Sequence, residues 1–442
     1  MKRKVFFVCC LLTMLLLSSC SVELVNPDSL IAAPKSNQEK LQKKQLITSF
    51  LGQEDNLIVP EDMNHNDAYR YVDLDNDGED EIVAFYANRQ NNFILGFLVL
   101  DQRDQQWYLS HKAIAYGMDI HFFSAEDLDG DGVMELMLGV HTGYGSQKEL
   151  YLYQLEDGDL RESTDGDRVT YDQMTLAQTV DGGELLVTAR MDTSILEGSS
   201  NITVYRYYNG GLQQLYDETF SGYCSEIHFD CVAQGQTGVY LAMRHNHFVN
   251  ILLLKETEEN FAVLMEQPLP YDYEDMNDLK LFYDENSDGI VEINSLWEPE
   301  HNAVGKIYKD YIQVWLQWDG QDSVYAVDAV LENVSDGYQF RVPLEWMDML
   351  YYDFRRDENA VNWVDFYYEN AEQKYEDVFS FAAIDQLVWE NLEDVDSIIV
   401  LGNNPTNNKV YVAEIYTGEF NGFKVDASRL ISCLKIEGGE RK

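Results

Sequence analysis

Apolar and polar residues alternate over short stretches along most of this chain, and Asn, Asp or Gly interrupts the alternation every few residues. The segments ILGFLVLDQRDQQWYLS, ELYLYQLEDGDLRES, ITVYRYYNGGLQQLY and YIQVWLQWDGQDSVYAV each read as two strands joined by a short polar turn. Asp157-Gly158, Asn209-Gly210 and Asp319-Gly320 carry the hairpin signal, because both residue types tolerate the positive φ that tight hairpins need. From about residue 336 the rhythm changes. GYQFRVPLEW, MLYYDFRR, VNWVDFYYEN, SIIVLGNN and KVYVAEIY read as strands. Asp385 and Asp426 are placed to cap the short helices QLVWENL and ASRLISCL. A small β-rich α+β C-terminal domain over residues 336–442 is predicted.

A second pattern lies over the first. VDLDNDGEDEIVAFY, EDLDGDGVMELMLGV and YDENSDGIVEINSL share the order D-x-[DN]-x-D-G-x-x-E, and each runs into an apolar stretch. Asp73 and Asp127 are 54 residues apart, and Asp127 and Asp284 are 157 apart, close to three further periods. Two degenerate copies are expected between them, one at TVDGGELLVTA with Glu184, the other at DCVAQGQTGVYLAM with Tyr240 in register with Glu292. Four strands per period of about 53 residues is the size of one blade, so residues 46–335 are predicted to form a β-propeller-like repeat array of about five or six blades.

Oxygen-bearing side chains at alternate positions of a tight loop converge on one point, and a glycine permits the sharp turn. The first loop offers Asp73, Asp75, Asp77, the Glu79 carbonyl and Glu81; the second Asp127, Asp129, Asp131, the Val133 carbonyl and Glu135. The third offers Asp284, Asn286, Asp288, the Ile290 carbonyl and Glu292. An all-oxygen set of this kind suits Ca²⁺ at up to three sites better than Mg²⁺, which demands stricter octahedral geometry. An EF-hand would need a glutamate at the twelfth position, where Ala84, Leu138 and Ser295 stand. Loop and strand together resemble the FG-GAP/VCBS repeat of integrin-type β-propellers and bacterial surface proteins. The resemblance implies that fold and calcium. It implies no activity, and the family's usual Asp at the ninth position is Glu in all three loops.

The N-terminus MKRKVFFVCCLLTMLLLSSC has three cationic residues, then 13 uncharged and mostly apolar ones, then Leu17-Ser18-Ser19-Cys20. The apolar run is too short to span a bilayer and suits a signal sequence. Its end resembles a bacterial lipobox, which implies removal of residues 1–19, lipidation of Cys20 and a membrane-anchored lipoprotein on the extracytoplasmic face of the cell membrane. Residues 20–45, polar and with Pro27 and Pro34, are expected to be a flexible tether.

Composition narrows the partners. The chain of 442 residues has 31 basic and 78 acidic side chains, a net charge of −47. Loss of the signal would leave −50, 28 basic against 78 acidic. Such a surface repels phosphate backbones and excludes nucleic acid. Beyond the signal only Cys224, Cys231 and Cys433 remain, too few for a disulfide framework. No GxSxG, HExxH, Walker loop or GxGxxG is present, and Gly143-Tyr144-Gly145 reads as a turn. His245-Asn246-His247 is a candidate zinc pair only if a partner ligand lies near. No catalytic residue is assigned. The expected function is a cell-surface binding platform for a glycan or a surface protein, its loops held by Ca²⁺; the alternative is a surface carbohydrate-active lyase or hydrolase.

Overall fold

The computed structural model describes residues 35–442 apart from 62–65, 92, 144, 146, 157–158, 164–167, 179–182, 195–197, 209, 258–259, 270–279, 299–310, 393–394, 439 and 442. The signal, Cys20, Tyr144, Asp157-Gly158 and Asn209 lie outside the described residues, as do residues 179–182 of the first degenerate copy.

The protein is mainly β. The described residues form six antiparallel sheets of four to six strands and one two-stranded ribbon. Each of the first five sheets is built on a meander of successive strands, and the second strand opens at Glu81, Glu135, Glu184, Gln236 and Glu292 in turn. The period read from the sequence is therefore a sheet period. Tyr240 does not match Glu292: its strand, Gln236–Arg244, opens four residues earlier, and Tyr240 sits in mid-strand. The four expected strand pairs lie in the first, second, third and fifth sheets, with Asp104 and Gln105 closing the first of them at φ of 53° and 64°.

Side-chain alternation decides how the sheets stack. In Glu81–Asn88, Val83 and Phe85 face the second sheet, where they meet Leu136, Leu138 and Val140. Met137 points the other way, to Leu186 of the third sheet. Leu185, Val187 and Ala189 then face Val239, Leu241 and Met243 of the fourth, whose Tyr240 and Ala242 face Ile293 of the fifth. Both faces of each central strand are covered, so these strands read as continuous apolar runs. The two end faces are closed locally. Ile47 covers Ile82, Ala84, Leu98 and Leu100 of the first sheet, and Trp389 and Leu392 cover Trp363, Ala382 and Val412 of the sixth. Among the described residues no apolar cluster joins the sixth sheet back to the first.

Two expected boundaries move. The tether from Lys35 onward is helical, Lys35–Thr48, because Gln, Lys, Glu and Leu favour helix and Ile47 anchors the last turn on the first sheet. The C-terminal part does not begin a separate unit at 336. Tyr338–Arg341 is a strand of the fifth sheet, and Leu434–Ile436 returns to pair with it. One core unites the fifth and sixth sheets around Phe340, Phe366, Phe379 and Phe381. Asp426 caps its helix, accepting from the Arg429 N–H at 2.9 Å. Asp385 makes no cap bond, because Lys409 draws its carboxylate to 3.2 Å.

Phe340 is fully buried between the two sheets. Phe340→Ala is expected to cost about 3–5 kcal/mol, read from urea unfolding followed by tryptophan fluorescence. A loss below about 1 kcal/mol would show that residues 336–442 are not welded to the fifth sheet.

Candidate metal centres in three equivalent loops

Each acidic loop is the connection from the first to the second strand of its sheet: residues 73–80 in the first sheet, 127–134 in the second and 284–291 in the fifth. Three hydrogen bonds recur in each loop. The leading aspartate accepts two backbone N–H groups with its two oxygens. Asp73 takes Asp77 and Gly78 at 3.1 and 3.0 Å, Asp127 takes Asp131 and Gly132 at 3.0 and 2.9 Å, and Asp284 takes Asp288 and Gly289 at 3.0 Å each. The closing glutamate reaches back to the N–H of the loop's second residue: Glu81 to Leu74 at 2.8 Å, Glu135 to Leu128 at 2.9 Å and Glu292 to Glu285 at 2.8 Å. Gly78, Gly132 and Gly289 have φ of 89°, 89° and 83°, a conformation that only glycine adopts without strain. The loops of the first two sheets are neighbours, with Met134 N–H donating to the Leu74 carbonyl at 3.4 Å.

The structure brings one carboxylate triad together in each loop, with oxygens within 4.8 Å of one another: Asp73, Asp75 and Glu81; Asp127, Asp129 and Glu135; Asp284, Asp288 and Glu292. Asp77 and Asp131 instead turn one oxygen onto the N–H of Glu79 and Val133, at 2.8 Å each. In the third loop Asp288 joins the triad, held by Gln317 at 3.1 Å and by the Asn286 side chain at 3.1 Å. Gln317 is a buried strand residue outside the motif, and no sequence signal marks it.

The closing glutamates are the unusual groups. Glu81, Glu135 and Glu292 are 7, 3 and 0% exposed. Burial first, and then repulsion from the neighbouring aspartates, pushes their carboxyl groups up to about 7, 8 and 7, against one stabilising backbone N–H at Glu81 and at Glu135 and two at Glu292. Asp75 and Asp129 are also raised, by burial and then by Asp77 and Asp131. For Asp288 burial pulls upward, but the bonds from Gln317, the Ile290 N–H and Asn286 outweigh it and hold the carboxyl low. The second oxygen of Glu292 is buried without a hydrogen-bond donor. Three hard oxygens, a buried acid and an oxygen lacking a donor fit a hard divalent cation, and Ca²⁺ is compatible with the set. The connections of the third and fourth sheets hold no such group among the described residues.

Other candidates fare differently. His245 and His247 lie in the connection before Val249–Glu256; His245 stacks on Phe248 at 4.3 Å, and the pair joins no group of possible metal ligands among the described residues. Cys224, Cys231 and Cys433 are free thiols, and burial pushes Cys224 up to about 12. Sequence reading missed a polar group at the far end of the second sheet. There Glu61 meets His141 at 2.9 Å, His121 stands edge-on to His141, and buried Lys148 donates to the Asp172 carbonyl at 2.8 Å. Its one signal was paired polar residues at strand ends.

No protein-family model and no curated sequence matches the chain. Among solved structures, the crystal structure of the exotype rhamnogalacturonan lyase YesX aligns over 79% of this chain and 72% of its own, at 12% identity and a TM-score of 0.29. A likeness at that score carries no weight for fold or activity.

In the metal-free protein the raised pKa of Glu135 has a definite consequence for stability. Its carboxyl is easier to protonate folded than unfolded, so its contribution is present below the ordinary glutamate value and lost as pH rises toward about 8. Glu135→Gln, which mimics the protonated acid, should stabilise the EDTA-treated protein by on the order of 1–4 kcal/mol at pH 8 and by less than about 1 at pH 5. Denaturant midpoints at the two pH values measure this.

Proposed function

We propose that this protein is a membrane-anchored extracytoplasmic lipoprotein whose propeller-like stack of β-sheets is a ligand-binding platform held in shape by Ca²⁺ at up to three loops. The observation that carries the reading is the repetition of one cage at the same strand connection in three sheets, each closed by a buried glutamate. A single acidic turn is an ordinary surface feature. Three at the same strand connection, each with a carboxylate driven into the core, make sense when a cation offsets the repulsion. The likeness of these loops to FG-GAP/VCBS repeats supports the same ion. The lipobox at Leu17–Cys20 supports the location, where calcium is plentiful and the tether and helix would raise the sheets off the bilayer.

Calcium binds the folded cage and scarcely the unfolded chain, so it should stabilise by RT ln(1 + [Ca²⁺]/Kd), about 2.7 kcal/mol per site at roughly 100 times Kd. Extracellular calcium modules have Kd of about 10⁻⁴–10⁻³ M, so millimolar calcium should raise the thermal midpoint over EDTA at matched ionic strength. Asp129→Ala should remove part of the gain and Asn286→Ala less. An identical midpoint in both buffers, with no heat in a calcium titration, would reduce the loops to acidic turns.

The anchor is tested separately. Cys20→Ala should release the protein from the membrane fraction or block its processing, because no helix among the described residues is long and apolar enough to cross a bilayer. Unchanged processing and fractionation would end the lipoprotein reading.

A further inference from the structure

The seam between the second and third sheets differs from its neighbours. Along the third sheet's inward face the apolar residues give way to polar ones in strict alternation: Leu186, Thr188, Arg190 on one strand, and Tyr207, Tyr205, Thr203, Asn201 on the next. At the apolar end the seam is closed. Tyr207 Oη donates to Gln154 across it, and Ser163 donates to the Gly210 carbonyl. At the polar end the sheets part around a cavity of about 680 Å³, whose opposite wall sets Leu150, Leu152 and Val169 among Glu162, Arg168 and Thr170. That volume lies within the roughly 300–1,000 Å³ typical of small-ligand sites.

The polar wall is ordered before any ligand arrives. Thr203 Oγ1 donates to Asn201 at 3.1 Å, and Asn201 donates to Asp217. The acidic groups lining the cavity are engaged. Asp217 accepts that bond, and Glu162 pairs with Arg168 at 3.1 Å while Arg168 lies on the Tyr151 ring at 4.0 Å. Arg190 is in no ion pair among the described residues, although this chain has 78 acidic side chains to 31 basic ones. Asp192, two residues along the same strand, feels its charge but makes no salt bridge to it among the described residues, so the guanidinium can still hold a carboxylate with two parallel N–H···O bonds. Hydroxyl and amide groups on one wall, and aliphatic carbon set among charged and hydroxyl groups on the other, match a sugar ring, polar at its edge and apolar on its face.

We infer that this cleft binds a short oligosaccharide bearing carboxylates, with Arg190 on a uronate group, Thr188, Thr203 and Asn201 on hydroxyls, and a sugar face against Leu150 and Leu152. The inference rests on the binding-platform reading and names its ligand class. The test is calorimetry on the full chain in detergent with calcium. The probes are trigalacturonate, trimannuronate and a hyaluronan tetrasaccharide, the methyl ester of trigalacturonate as the uncharged control, and triglutamate as a non-sugar acid. At least one acidic saccharide should bind, with its ester or triglutamate on the order of tenfold weaker or more. Arg190→Gln, at an exposed strand position, should weaken the acidic saccharide by a similar factor and leave the ester unchanged. Binding by none of the saccharides overturns the inference, as does triglutamate binding equally well or an Arg190→Gln protein that binds like wild type. A calcium-induced rise in thermal midpoint without saccharide binding sinks the cleft and spares the scaffold; saccharide binding without that rise does the reverse.

Discussion

Three glutamates begin strands with their carboxyl groups inside the protein, and the loop before each follows from the cost of keeping them there. A buried carboxylate is tolerated when donors or a cation meet it. Each glutamate receives one backbone N–H from the second residue of its own loop, which fixes how the loop folds back. The leading aspartate then gathers two more N–H groups, and the loop tightens through glycine at positive φ. These bonds leave the carboxylates crowded on one side, which is why burial and repulsion raise the pKa of Glu81, Glu135 and Glu292 together. The loop geometry and the demand for a cation are thus one property.

The same glutamates start the strands on which the stack depends. Ile82 follows Glu81, Leu136 follows Glu135 and Ile293 follows Glu292, each fully buried. A slip of one residue in any of these strands would exchange its two faces, and both faces pack against something. A loop that pins the first residue of such a strand therefore pins the register of a sheet and, through it, the contacts with the next one. The geometry of the loops and the order of the stacked sheets are linked in this way.

The strand pattern, the sheet period and the triad residues were legible in the sequence because each depends on local chemistry: alternation, turn residues and spacing. What lay out of reach depends on partners far along the chain. Leu434 reads as the last residue of a helix segment, yet Leu434–Ile436 completes a sheet with Tyr338–Arg341, a pairing that no local signal encodes. Gln317 supports Asp288 from a neighbouring strand. The pairing of third and fourth strands shifts register at Val99/Leu100, Val204/Tyr205, Leu253/Leu254 and Trp315/Leu316, a recurrent bulge that carries no glycine and so left no mark. The cleft was hidden for a similar reason. Thr188 and Arg190 look like ordinary outward strand residues until the second sheet is known to face them.

The length of the connection follows the acids. Eight residues separate the first two strands of the first, second and fifth sheets, five those of the third and two those of the fourth. Closing a longer connection costs chain entropy, slowly with length, and ordering each of its residues costs more. An eight-residue turn holding like charges has little to recommend it without a ligand that binds it, and the fourth sheet, lacking the ladder, makes the same turn with Gln234-Gly235 alone. The third sheet stands between these cases. It retains a glutamate, Glu184, at the head of its second strand, with one oxygen buried and lacking a donor and with burial raising its carboxyl. Its aspartate ladder is gone and its connection is three residues shorter. The acid at the strand head thus persists where the cage does not, so the carboxylates ahead of it, rather than the glutamate, set how long the loop must be.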